Sequence, residues 1–188
     1  VLLVGVAVNI RIYERCPFIE SENSYVGIMA KIVDYIVEKL DARVIFIPFE
    51  MGLTGHDDRF IAKEIFKKIE NKDRIKLIEN EYGPEEMKGM LGVFDLFIGC
   101  RFHSVVFSTS MMVPTVVIAW SHKYYETMKM LGQERYVCHY KKMSLPELKN
   151  MIEHALSRRK EIKEELKAKL EDVRKSALEN AELVRDLL

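Results

Sequence analysis

At 188 residues, with 48% hydrophobic and 31% charged side chains, the chain has the composition of an ordinary globular domain and the length for one good core. Lysine plus arginine equals aspartate plus glutamate at 29 each, so no net field draws it to nucleic acid, and no nucleic-acid partner is expected. Its apolar runs are too short to span a bilayer, no secretory or transit signal opens it, and Cys16, Cys100 and Cys138 form no CxxC pair, which reads as a cytoplasmic protein with free thiols.

Residues 1–10 (VLLVGVAVNI) are apolar and β-branched, predicting a buried strand with Arg11 at its carboxyl end. Arg11 is there either a grip for an anionic group or a surface arginine on a loop. Cys16-Pro17 and Ser21 to Ser24 predict a loop long enough to rim a site. From 25 to 40, Val26, Met29, Ile32, Val33, Ile36, Val37 and Leu40 recur at helical spacing. Residues 42–49 (ARVIFIPF) predict a second buried strand, which Pro48 either ends or places near a sheet edge.

The loop GLTGHDD (52–58) follows, and Asp57 or Asp58 caps a helix through Ile69 with Phe60, Ile61, Ile65, Phe66 and Ile69 on one face. His56-Asp57-Asp58 invites a metal reading. Adjacent aspartates point in different directions, however, and no second cluster completes a ligand set, so capping is preferred to ligand contact and no metal is expected. Residues 75–78 predict a short strand, 79–84 a loop, and Pro84 the first turn of a helix over 85–91.

The central stretch, 95–123, reads DLFIGCRFHSVVFSTSMMVPTVVIAWSHK. An apolar strand ends in Gly99-Cys100-Arg101-Phe102-His103-Ser104, a short helix runs from Val105 to about Met112, and a second strand over 116–120 precedes His122 and Lys123. Strand, helix and strand make a crossover unit, and ligands bind beyond the carboxyl ends of its strands. Arg101, His103, Ser104 and Lys123 all fall there. A fixed cation, an imidazole and a hydroxyl at a helix N-terminus suit an anionic substrate.

Cys138 sits in a last short strand within 135–139, and Ser144 heads a capping box. Beyond it Leu148, Met151, Ile152, Ala155 and Leu156 form one helical stripe, and Ile162, Leu166, Leu170, Val173, Ala177, Ala181 and Val184 another. The break at 157–160 predicts two helices or a kink, and the charge-rich run 158–169 a solvated face. The fold class is therefore α/β, a Rossmann-like parallel sheet with helices on both faces, ending in long helices. Residues 1–143 form the Rossmann-like domain and 144–188 a helical extension packed on it. GxGxxG and GxxxxGK[ST] are both missing, which argues against a dehydrogenase or a P-loop ATPase.

Asp95, Gly99, Cys100-Arg101-Phe102-His103, Pro114, Val116-Val117-Ile118, Lys123 and Leu131-Gly132 together resemble the polysaccharide pyruvyl transferase family. Asn9-Ile10-Arg11 resembles the element that ends the first strand of that family's second half. The resemblance implies a GT-B-like C-terminal domain, with a missing N-terminal domain as partner. It also implies a ketal-forming transferase that moves pyruvate from phosphoenolpyruvate to hydroxyls of a sugar or glycan precursor, with no cofactor. On that reading Arg11, Arg101, His103, Ser104 and Lys123 bind the donor, with His103 and Arg101 catalytic. Asp95, at the start of its strand, is structural. Peripheral membrane association and self-association through the terminal helix stay open.

Two rivals share the fold. A GT-B glycosyltransferase would bind a nucleotide sugar here and would need a ribose-binding carboxylate, for which Glu79 and Glu81 are the candidates. A non-catalytic module would use the terminal helix for assembly. Fold alone does not choose among them.

Overall fold

The computed structural model describes residues 1–16, 24–52 and 57–185. Six parallel strands form one sheet: β1 (Leu2–Ala7), β2 (Ala42–Phe46), β3 (Ile75–Leu77), β4 (Leu96–Gly99), β5 (Thr115–Ala119) and β6 (Val137–His139). Their order across the sheet is β3-β2-β1-β4-β5-β6. The helices are α1 (Ile10–Arg15), α2 (Tyr25–Lys39), α3 (Asp58–Lys68), α4 (Pro84–Leu91), α5 (Phe102–Ser110), α6 (His122–Met130), α7 (Leu145–Ser157) and α8 (Arg159–Arg185).

Register follows the apolar runs. Val4 lies level with Val44 and Leu96, and Val6 with Phe46 and Ile98, so the sheet centre is apolar. On one face the strands meet α2 and α7 through Met29, Ile32, Ile36, Leu148 and Ile152, all buried. On the other, Met87 and Leu91 of α4 pack with Ala7, Ile47, Phe94, Phe97 and Val113. Burial of so many large side chains, each contributing about 1.5–3 kcal/mol, is what offsets the entropy of ordering the chain.

Several boundaries differ from the sequence reading for identifiable reasons. β1 stops at Ala7 because Asn9 caps α1, its side chain accepting from the Arg11 amide, so Arg11 opens a helix instead of trailing a strand. Pro48 ends β2 after Phe46 but does not make it an edge, since β2 lies between β3 and β1. Phe60 leaves the buried face of α3: it is 49% exposed and meets the ring of Tyr13 edge-on at 6.3 Å. The break between α7 and α8 falls at Arg158. Residues 17–23 and 53–56, and with them most of the predicted rim loop and the predicted GLTGHDD loop including His56, lie outside the described residues.

α8 begins in the core and then leaves it. Ile162 and Leu166 are buried, Leu170 and Val173 half-buried, and Leu178 is exposed. Arg158, at the bend, pairs with both Glu161 and Glu165, as expected of a solvated charged face. None of the described helices is long and apolar enough to cross a membrane.

The sheet's order fixes where a site belongs. The chain builds outward from β1 to β3, returns to β4 beside β1, and builds outward again. The crevice between the carboxyl ends of β1 and β4 is thus the switch point, where open α/β sheets bind ligands.

Candidate functional site at the carboxyl ends of β1 and β4

Buried polar side chains shape the crevice. Asn9, fully buried, donates from Nδ2 to the Cys100 carbonyl at 2.7 Å and receives from the Arg11 amide at 2.9 Å. The Tyr124 hydroxyl donates to the same Cys100 carbonyl at 3.1 Å, and the Tyr25 hydroxyl accepts from the Asn9 amide at 3.0 Å. The turn after β4 is thereby tied to the end of β1, to α2 and to α6. Gly99 lets α5 start close to the sheet: a Cβ there would lie 2.8 Å from Val105 Cγ2.

Asp58 is the anchor of the charged groups. It has no exposed surface, and its carboxylate accepts from Arg101 Nε at 2.9 Å and Nη2 at 2.6 Å. It also accepts from the amides of Ile10 (3.1 Å), Phe49 (3.3 Å) and Glu50 (2.9 Å). Asp57, not Asp58, is the cap of α3, accepting from the Arg59 amide. Asp58 instead ties α3 to the ends of β1 and β2 and to the Arg101 turn.

Glu50 completes the cluster. One carboxylate oxygen accepts from Arg11 Nη2 at 2.9 Å and the other pairs with Arg101 Nη1. Burial opposes ionisation of Glu50, but the two arginines outweigh it and hold its pKa below the usual glutamate value. Burial likewise works against the Arg101 charge, and Asp58 followed by Glu50 outweighs it, so Arg101 is held above the usual arginine value. Both arginines expected to bind a donor are therefore already matched by carboxylates.

The other expected residues take distinct positions. His103 is exposed on the first turn of α5, its ring 6.1 Å from that of Phe102. Lys123 is exposed on the first turn of α6, with Nζ 4.4 Å above the same Phe102 ring. Ser104 is buried and its hydroxyl donates to the Arg101 carbonyl at 2.7 Å, which leaves its amide, not its hydroxyl, as the group at the helix start. The first-turn amides of α5 have no intrahelical acceptor and carry the positive end of the helix dipole.

Four contributors went unnoticed in the sequence: Glu50, Tyr25, Tyr124 and Arg15. Glu50 lies four residues beyond the end of β2 and could have been found by treating every strand's carboxyl end alike. Arg15, at the end of α1, lays its guanidinium 4.9 Å from the Trp120 ring and donates to the Arg11 carbonyl at 3.0 Å. It pairs with no carboxylate among the described residues. Trp120 is half-buried, packs against the core and carries this cation.

Three features fall outside the site. Asp95 accepts from the Leu3 amide at 2.9 Å where β1 and β4 begin, a structural position. It lines a cleft of about 200 Å³ with Pro114, Arg159 and Lys163, at the opposite end of the sheet. Glu79 pairs with Lys63 beyond the edge strand β3, two strands from β1, and Glu81 is exposed. Among the described residues no group of three or more His, Cys, Asp or Glu could hold a metal ion.

A family model described as polysaccharide pyruvyl transferase matches residues 7–122, the span from the end of β1 to the start of α6. The amylovoran biosynthesis protein AmsJ of Erwinia amylovora is 26% identical over 133 residues, covering 68% of this chain and 31% of that protein. The chain thus spans about a third of that relative's length. In fold it is similar to a putative UDP-N-acetylglucosamine 2-epimerase from Listeria monocytogenes, with a TM-score of 0.57 at 15% identity over 88% of this chain and 39% of that one. The fold is therefore α/β and Rossmann-like, of the kind found in GT-B-like proteins.

Proposed function

The chain belongs to the polysaccharide pyruvyl transferase family, and on that premise we propose that it forms the donor-binding part of a transferase that moves pyruvate from phosphoenolpyruvate to two hydroxyls of a sugar as a ketal. The observation that carries this reading is the convergence at the switch point of Arg11, Arg101, His103 and the opening amides of α5. Phosphoenolpyruvate presents a carboxylate and a phosphate, and this crevice gathers two guanidinium groups and a helix N-terminus.

The chemistry assigns tasks to these groups. A first sugar hydroxyl attacks C2 of the donor and gives up its proton, while one proton is delivered to the methylene carbon, which becomes the methyl group. A second hydroxyl then attacks C2, the C–O bond to phosphate breaks, and the second hydroxyl's proton leaves with the phosphate. His103 is the exposed imidazole at the crevice and takes the proton-transfer role. Arg101 and Arg11 bind the donor's anionic groups, and Lys123 and the Ser104 amide add positive potential. Burial of Arg101 in a fixed network gives it an orientation that costs nothing at the moment of reaction.

The glycosyltransferase alternative has weaker support, because its carboxylate candidates lie beyond β3 and one of them is paired with Lys63. The full-length protein, given phosphoenolpyruvate and a panel of sugar acceptors, is expected to release phosphate only when an acceptor is present. Release of UDP or GDP from nucleotide sugars, with no phosphate from phosphoenolpyruvate, would replace this reading with the rival.

A further inference from the structure

The geometry points to Glu50 as a built-in stand-in for the anionic substrate: its carboxylate occupies the ground between Arg11 and Arg101, and the incoming ligand must displace it. The inference rests on the donor-site reading above and adds a competitor to it. The two carboxylates of the cluster are bound in different ways. Asp58 has no exposed surface and takes Nε and Nη2 of Arg101 together with three backbone amides, so it cannot leave without dismantling the turn. The Glu50 side chain is 30% exposed and touches only the outer nitrogens, Arg11 Nη2 and Arg101 Nη1.

The backbone of Glu50 is fixed independently of its side chain. Its amide donates to Asp58 Oδ2 at 2.9 Å and its carbonyl accepts from the Asp58 amide at 2.8 Å. A change of side-chain rotamer therefore frees Arg11 Nη2 and Arg101 Nη1 while the Glu50 backbone stays in place and Arg101 keeps its bonds to Asp58. In the resting protein Glu50 also neutralises Arg11, which would otherwise leave two guanidinium groups facing one crevice. The ligand class is a small anion with carboxylate or phosphate oxygens able to span Arg11 Nη2 and Arg101 Nη1.

Glu50→Gln keeps the shape and removes the competing charge. Calorimetric titration of inorganic phosphate, and separately of phosphoenolpyruvate, into the protein and this variant is expected to show about tenfold tighter binding by the variant, since a charge-assisted hydrogen bond no longer has to be broken. Equal or weaker binding by Glu50→Gln would overturn the inference, weaker binding meaning that Glu50 orients the arginines for the ligand. Glu50→Asp, too short to span both arginines, is expected to bind more tightly than the parent as well, and guards against a folding defect in the first variant. If the parent binds phosphoenolpyruvate through Arg11 but both variants match its affinity, only this inference fails. If no protein binds either anion, the donor-site reading fails with it.

Discussion

Arg101 and Asp58 lie 43 residues apart in the chain and are joined by three guanidinium–carboxylate hydrogen bonds of 2.6 to 3.2 Å. The pair is nearly water-free, with 12% of the Arg101 side chain and none of Asp58 exposed. Breaking such a pair leaves one buried charge unmatched, which costs about 3–5 kcal/mol. Asp58→Ala and Arg101→Ala are each expected to lose stability of that order, and the double variant less than their sum. Urea unfolding measures it. A stable Arg101→Ala protein would show that the pair does not hold the fold together.

This structural role changes how Arg101 is tested for ligand binding. Its removal disturbs the crevice whatever it binds, so exposed His103 is the cleaner probe. His103→Ala is expected to keep the parent's unfolding midpoint yet lose about 10²- to 10⁴-fold in turnover, the usual contribution of acid–base catalysis. Turnover within a few-fold of the parent would remove His103 from the mechanism.

Glu50 gives the protein an acid-sensitive component of stability. Its folded-state pKa lies below its ordinary 4.5, so the unfolded chain takes up the proton more readily. The contribution is complete above the unfolded value and is lost as pH falls through the folded one. Glu50→Gln should therefore show a shallower decline in unfolding midpoint between about pH 6 and about pH 3 than the parent. Parallel curves would mean that the two arginines do not stabilise the ionised form.

Burial pushes the Cys100 thiol up to about 12, and the same cause takes Cys138 to about 12. Both should resist alkylation in the native protein at neutral pH, whereas half-buried Cys16 should react first. Mass spectrometry after a brief iodoacetamide pulse reads this directly. Modification of Cys100 ahead of Cys16 would show that the crevice floor opens.

The last helix should be uneven in what it contributes. Ile162 and Leu166 are 1% exposed, and truncating either to alanine is expected to cost about 2–5 kcal/mol. Leu178 is 66% exposed, and Leu178→Ala should change stability by less than about 0.5 kcal/mol. A large loss at Leu178 would mean that this face is covered in solution.

Much of this organisation is legible in the sequence, and the remainder is hidden for physical reasons. Strands β4 and β5 announce themselves as apolar runs because both their faces are buried, β1 and β2 because most of their residues are, and α2 by its helical period. The stretch Arg101-Phe102-His103 could be placed at a strand's end because a βαβ unit leaves it nowhere else. What stayed hidden was pairing across distance. No local pattern says that Asp58 will leave the cap to Asp57 and reach Arg101, or that Glu50 will bridge two arginines. Arg15 was invisible because its partner, Trp120, is 105 positions away and meets it only once β1 and β5 share a sheet.

Every role proposed above depends on phosphoenolpyruvate binding in the crevice between β1 and β4. Calorimetric titration of phosphoenolpyruvate into the protein and into Arg11→Ala and His103→Ala, with UDP-N-acetylglucosamine as the competing ligand, tests it most directly. Phosphoenolpyruvate is expected to bind the parent, to bind both variants more weakly, and not to be displaced by the nucleotide sugar. Unchanged affinity in both variants, or binding of the nucleotide sugar alone, would contradict it.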